Sequence, residues 1–81
     1  MENSSDKIVS VLNDLVQINN DRREGYKSAA AETKDFELKS LFEKNSQQSS
    51  EFATELSEQV IIYGGVPVQG TRTDGKLHRA W

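Results

Sequence analysis

A very short polar break separates two long stretches with helical apolar spacing, and this break constrains the fold more than any other feature. It is the run Glu32-Thr33-Lys34-Asp35. Asp35 is suited to cap the helix that follows, because its carboxylate can accept hydrogen bonds from the free N–H groups of the first turn. Two long helices joined by so few residues have to lie side by side and antiparallel. The sequence therefore predicts an all-α, antiparallel two-helix hairpin.

The apolar spacing predicts which side of each helix meets the other. In a first helix of about residues 5–32 and a second of about residues 36–63, apolar side chains recur at steps of four and three, which is the spacing of a seam between helices. The first stripe is Ile8, Leu12, Leu15, Asn19, Arg22, Tyr26 and Ala29, adjoined by Val9, Val11, Val16 and Ile18. The second stripe is Leu38, Phe42, Asn45, Ser49, Phe52, Leu56, Val60 and Tyr63, adjoined by Leu41 and Ala53. We expect the two stripes to face each other.

Glycines mark two positions in this scheme. Gly64 and Gly65 predict the end of the second helix in a left-handed closing residue, and Pro67 prevents the helix from resuming. Gly25 lies inside the first helix, where glycine costs about 1 kcal/mol relative to alanine. It either allows a neighbouring element to come close or is simply tolerated.

The C-terminal part is predicted as an extended connector over residues 64–73 and the start of a third helix over residues 74–81. Leu77 and Trp81 are four residues apart and would share one helix face. Because the sequence stops on an apolar Trp after barely two turns, we expect it to be cut at the start of an element. The alternative is that Trp81 folds back as a plug over the end of the hairpin.

The composition limits the cellular location and the classes of binding partner that we expect. The 81 residues include no Cys, which excludes a disulfide scaffold. They are 35% hydrophobic, and a lone hairpin would leave apolar surface exposed to water. We therefore expect dimerisation to complete a four-helix bundle, or further residues of the chain to be missing. Residues 1–63 carry a net charge of −5 and residues 64–81 a net charge of +2. An acidic body predicts neither nucleic acid nor membrane as a partner. Without a signal peptide or a membrane-spanning run, the expected location is the cytoplasm.

A polar layer interrupts both stripes at one height. If the chain folds about residue 34, positions whose numbers add to about 68 are level, so Asn19 meets Ser49 and Arg22 lies near Asn45. Buried polar groups cost free energy unless they are paired, so the layer needs a reason. It either fixes the register of the helices or is the remnant of a ligand or metal site. A two-metal site would need Glu and Glu-x-x-His here, so we predict no metal, cofactor or catalytic residue.

Other candidate sites are weak. Glu51, Glu55 and Glu58 share one face of the second helix and are expected to be solvated. His78 has no Cys or second His as a partner, which excludes a zinc site or catalytic triad built on it. The run from Thr71 to Lys76 lacks the glycine spacing of a phosphate-binding loop. The predicted interface residues are Leu12, Leu15, Tyr26, Phe42, Phe52, Leu56 and Trp81.

Four sequence runs resemble one family. They are residues 12–26 (LNDLVQINNDRREGY), 38–42 (LKSLF), 63–67 (YGGVP) and 75–81 (GKLHRAW). They are similar to a bacterial ferritin-like, rubrerythrin-related four-helix-bundle family of unknown function, of the DUF2383 type. The resemblance implies half of such a bundle, since members continue into two further helices. It also implies that the ligands of metal-binding relatives would fall on Asn19, Ser49 and Phe52, which cannot replace Glu and Glu-x-x-His, so the ligand roles do not transfer.

The sequence therefore favours a non-enzymatic ferritin-like helical protein that acts through self-assembly or a partner, with a stress-related role as one form of this. One alternative is a metal-binding or redox protein with a remodelled site. Another is a small dimeric regulator or adaptor that binds a partner helix through Tyr26, Phe42 and Trp81.

Overall fold

Two long helices make up the structure, a computed structural model that describes residues 4–69. Helix α1 spans Ser4–Glu32 and helix α2 spans Phe36–Ile62. They pack against each other along their lengths as an antiparallel pair. The predicted all-α hairpin is confirmed. The predicted third helix, with Leu77, His78 and Trp81, lies outside the described residues.

Side chains at the turn fix where α2 begins. The Oδ1 atom of Asp35 accepts hydrogen bonds from the backbone N–H of Glu37 at 2.9 Å and of Leu38 at 3.1 Å. The backbone of Asp35 is extended, as an N-cap requires, and its own N–H donates to Thr33 Oγ1 at 3.2 Å. The predicted capping role of Asp35 is confirmed, and the connection is short because its polar groups are satisfied locally.

The end of α2 is closed by its two glycines. Gly64 has a φ of 85°, a left-handed conformation that costs other residues free energy. Its N–H donates to Ile61 O and the N–H of Gly65 donates to Val60 O, both at 2.9 Å. These paired bonds are the Schellman ending of a helix, in which the last carbonyls find donors. The predicted role of Gly64 is thus confirmed.

The seam between the helices is lined by small side chains. Its buried residues are Val16, Asn19, Asn20 and Ala30 from α1 and Ser46, Ser49, Ala53 and Val60 from α2. Small side chains let the helix axes approach closely, and a large side chain at the same position would hold them apart. The helices therefore meet along the narrowest rows of residues that they offer.

Only part of each predicted stripe lies in the seam: Asn19, Ser49 and Val60 are buried there, whereas the larger apolar side chains predicted beside them are not. Leu15 is 39% exposed, Phe52 is 54% exposed and Arg22 is also exposed. In α1 the seam contains Asn19 of the predicted stripe together with Val16 and Asn20 beside it. The physical reason is volume, because Leu15 and Phe52 are too large for the close approach that Ser49 and Ala53 permit. Nothing lies within 4 Å of a Cβ placed on Gly25, so this glycine is tolerated and does not mark a close approach.

The chain after α2 turns back onto one side of the hairpin. The side chain of Asn13 donates from Nδ2 to Val66 O at 3.1 Å, and its Oδ1 accepts from the N–H of Val68 at 2.9 Å. A Cβ on Gly65 would lie 2.5 Å from Val9 Cγ1, so only glycine lets the segment approach α1 this closely. Asn13 and Gly65 together hold residues 65–69 against the hairpin.

Candidate functional site

The two predicted stripes form one broad face of the hairpin, which we call the apolar face. Its α1 residues follow each other at steps of three and four and so share one side of the helix. It consists of Ile8, Leu12, Leu15, Asn19, Arg22 and Tyr26 from α1 and Leu38, Phe42, Asn45, Ser49, Phe52 and Leu56 from α2. Leu38 is 43% exposed. Together with Leu15 and Phe52, it is a large apolar side chain in contact with solvent on this face. Sequence reasoning placed all of these residues in the seam; the structure buries Asn19 and Ser49 there and leaves Leu15, Leu38 and Phe52 exposed.

An open hollow with a volume of about 460 Å³ lies on the apolar face. Asn19 contributes to it from α1, and Phe52 and Leu56 contribute from α2, which shows that both stripes lie on the same side. Glu55, Glu58 and Gln59 form its rim. The hollow thus offers an apolar wall and one amide, within an acidic border.

Near the turn, an aromatic pair joins the two helices on the apolar face. The rings of Tyr26 and Phe42 stack with centroids 6.3 Å apart and an angle of 23° between their planes. Both side chains are half-buried. Their numbers add to 68, so the register predicted from folding about residue 34 is confirmed at this pair. Such a pair contributes about 0.5–1.5 kcal/mol beyond its buried area.

The predicted polar layer is only partly the one in the structure. Asn19 and Ser49 are buried, with 8% and 6% exposure, and Asn45 is half-buried. Arg22 points to solvent, and its neighbour Arg23 lies closer to the seam. The prediction for Arg22 is corrected because, at this height, the seam of α1 passes closer to Arg23.

Hydrogen bonds tie this layer together. Ser46 Oγ donates to the carbonyl of Arg23 at 3.0 Å, which joins α2 to α1. The Arg23 guanidinium donates to Asn20 Oδ1 at 3.1 Å and to Glu24 Oε2 at 2.9 Å. Sequence reasoning missed Asn20, Arg23 and Ser46, although each follows a residue that it chose or considered in the stripe.

Asn19 differs from the rest of the layer because its amide faces the apolar side. Its Nδ2 donates to the carbonyl of Leu15, one turn earlier in the same helix, at 2.9 Å. An amide has two donor hydrogens and two acceptor lone pairs. Within residues 4–69 the Leu15 bond is the one that this side chain makes, so it retains capacity for a partner. Across the same residues, no buried side-chain N or O atom lacks a hydrogen-bond partner.

The opposite side of the hairpin, which we call the polar face, has a different character. One hollow of about 620 Å³ is lined by basic and acidic side chains together, among them Arg23, Lys27, Lys39 and Glu43. A second hollow of about 330 Å³ lies where Pro67 to Gln69 pass over α1 and α2. Charges of both signs and the connector occupy this side, whereas the apolar face has no covering segment in the described part of the chain.

The described residues hold no group of three or more His, Cys, Asp or Glu side chains that could bind a metal ion. Asn19 and Ser49, on which the resemblance would place ligands, are both buried. Their amide and hydroxyl are weak ligands for hard metal ions compared with carboxylates.

The family comparison adds one match. Residues 7–81 match the family described as a domain of unknown function, DUF2383. The chain belongs to this family. The DUF2383 match includes almost all of α1, the whole of α2 and the connector. No curated protein and no solved structure matches the chain.

Over residues 4–69, neither α1 nor α2 is apolar enough along its length to cross a bilayer.

Proposed function

We propose that this DUF2383 chain is a non-enzymatic assembly protein whose apolar face binds a second copy of the same chain. Two hairpins would then form a four-helix bundle of the ferritin-like kind, in a cytoplasmic setting. The observation that carries the proposal is the exposure of Leu15, Leu38 and Phe52 on one face. Large apolar side chains left exposed on one face of a small helical protein favour a surface that another molecule covers.

The size of the apolar face supports a second copy as its occupant. Two helices of about 40 Å, each about 10 Å wide, present a face of about 800 Å². A stable interface of standard size buries about 800 Å² on each partner. A second hairpin has a face of the same length and width, so it can cover the first without leaving an overhang.

The chemistry of the polar layer supports a role without catalysis. Asn19 and Ser49 stand at the positions that the ferritin-like resemblance assigns to metal ligands, and they bring an amide and a hydroxyl. Such groups pair with each other across a bundle core and fix its register at some cost in stability. We therefore assign the layer to alignment.

A partner helix from another protein is the second candidate occupant. The observation that favours it is Phe52, which is 54% exposed beside a hollow bounded by Asn19 and Leu56. An amphipathic helix could insert one apolar residue there, as in other helix-in-groove complexes. In this case the chain would act as an adaptor.

Native mass spectrometry and analytical ultracentrifugation of the full chain, over a wide concentration range, test the proposal. We expect a dimer without additional mass. Phe52→Glu should shift the chain towards monomer. Phe52 is already about half buried, so pairing adds about 1–1.5 kcal/mol per copy. Its loss from both copies weakens dimerisation roughly 30- to 150-fold before any charge effect.

Thr54→Glu is the matched control. Thr54 is exposed on the same helix, two residues from Phe52, and lines the hollow on the polar face. The same charge introduced there should leave the dimer intact. A wild-type chain that stays monomeric at the highest concentration would refute self-assembly and favour the partner helix. A stoichiometric metal ion would refute the non-enzymatic assignment.

A further inference from the structure

The register of the hairpin gives each position of α1 a level position on α2. Tyr26 stacks on Phe42, and Ser46 bonds to the carbonyl of Arg23, so the numbers of paired residues add to 68 or 69. The hydrogen-bonded contact and the ring contact lie one turn apart and agree. This rule gives every residue of the apolar face a position along the length of the hairpin. Those positions decide which residues meet when two such faces pack together.

Two symmetric arrangements bring two apolar faces together over their full length. If the two-fold axis runs parallel to the helices, both turns lie at the same end and α1 of one copy packs on α2 of the other. If the axis crosses the helices, the turns lie at opposite ends and α1 packs on α1. Both are isologous pairs, which are the commonest form of protein dimer.

We propose that the hairpins pair with both turns at the same end, an inference that rests on the proposed self-assembly. In this arrangement the register within one hairpin also applies between copies. Leu12 lies level with Leu56, Leu15 with Phe52, and Asn19 with Ser49 of the other copy. Apolar residues then meet apolar residues, and the amide meets a hydroxyl.

The opposite-end arrangement mismatches the same faces. With full overlap, Leu15 of one copy lies close to the level of Arg22 and Arg23 of the other, and Phe52 lies close to the level of Asn45 and Ser46. Each pair would bury a polar group against a large apolar side chain, which costs free energy because the polar group loses its water. Sliding the hairpins along each other to avoid this would shorten the contact.

Asn19 gives the same-end pairing a specific anchor. Its side chain is 8% exposed, faces the apolar side and makes its described hydrogen bond to Leu15 O within its own helix. In the same-end arrangement, Ser49 of the other copy would lie level with this side chain. Two such pairs, related by the axis, would satisfy the layer and resist axial slippage.

Distances between single spin labels distinguish the two arrangements. The chain has no Cys, so one introduced Cys gives one label per copy. Lys34→Cys places the label in the turn, where the side chain is exposed. Turns at the same end put the two labels roughly 20–30 Å apart, the width of a four-helix bundle with its label linkers, whereas opposite ends put them about 40 Å or more apart, the length of a helix.

Gln48→Cys serves as the control, because Gln48 is exposed and lies near the middle of α2. A label at mid-height gives a short distance in both arrangements and therefore reports pairing itself. A short distance at both positions is the expected result. A short distance at Gln48 with a long one at Lys34 overturns the same-end arrangement and leaves the dimer standing. No intermolecular distance at Gln48 overturns the proposed self-assembly.

Discussion

Replacement of Gly65 by alanine tests whether the connector is held by close approach to α1. The backbone of Gly65 does not have the left-handed φ that Gly64 has, so an alanine meets no conformational barrier there. What it meets is Val9. The new Cβ would lie 2.5 Å from Val9 Cγ1 and 2.9 Å from Val9 Cγ2, with Val60 Cγ1 at 3.1 Å.

The expected loss follows from these distances. Carbon atoms attract each other best at about 3.5–4.0 Å, so the alanine methyl would be about 1 Å too close to both methyls of Val9. Rotation of Val9 gives little relief, because β-branched side chains in helices are held near one rotamer. Overpacking of this kind costs about 1–3 kcal/mol. Alanine also lowers the conformational entropy of the unfolded chain, which offsets about 0.4–1 kcal/mol of this loss. We expect Gly65→Ala to lower the free energy of unfolding by about 1–2 kcal/mol.

A double-mutant cycle identifies the cause. Val9→Ala removes both crowding methyls, so Gly65→Ala should cost much less in that background, with a coupling free energy of about 1–2 kcal/mol. Urea unfolding followed by circular dichroism at one fixed protein concentration measures all four variants. Gly64→Ala is the control. Its φ of 85° strains any alanine in open space, so Val9→Ala should not rescue it. Strictly additive effects of Gly65→Ala and Val9→Ala would refute the steric explanation.

Two further predictions concern single side chains that hold the ends of the elements. Asn13→Ala removes both hydrogen bonds to the connector, so the amide of Val68 should lose its protection in hydrogen exchange. Asn13→Asp keeps the acceptor and should retain most of that protection. Unchanged exchange in the alanine variant would show that Asn13 does not hold the connector. Asp35→Ala should lower the free energy of unfolding by about 0.5–2 kcal/mol in denaturant titration, because two N–H groups of α2 lose their acceptor, whereas Asp35→Asn should cost less. Equal losses for alanine and asparagine would show that the cap does not act through its side-chain oxygen.

The elements of the hairpin were predictable because their signals are local. Asp35 caps through bonds from the N–H groups of Glu37 and Leu38, and Gly64 closes α2 through its own φ, so neither depends on the rest of the chain. The pairing of Tyr26 with Phe42 also followed from the sequence, since a short turn leaves an antiparallel pair little freedom of register. The connector is an intermediate case: Pro67 predicts that the helix stops, but nothing in its sequence indicates that Asn13 will bind it.

The candidate site was harder to predict because neighbouring rows of a helix look alike in sequence. Leu15 and Val16 are both apolar and differ by 100° around the helix, so a wide stripe is compatible with either row at the seam. Arg22 and Arg23 differ in the same way, as do Asn45 and Ser46. Periodicity selected Asn19, Ser49 and Val60, which are buried in the seam, but it could not separate them from Leu15 and Phe52, which are not.

The sequence by itself therefore determined that this DUF2383 chain forms two helices, where they are capped, and that they pair antiparallel. It did so because caps, turns and short connections act over a few residues. Only the tertiary structure decided which row is buried, since that choice depends on how closely two helices can approach. The small side chains of Ser49 and Ala53 allow the closest approach, and Leu15 and Phe52 are left on an open face as a result.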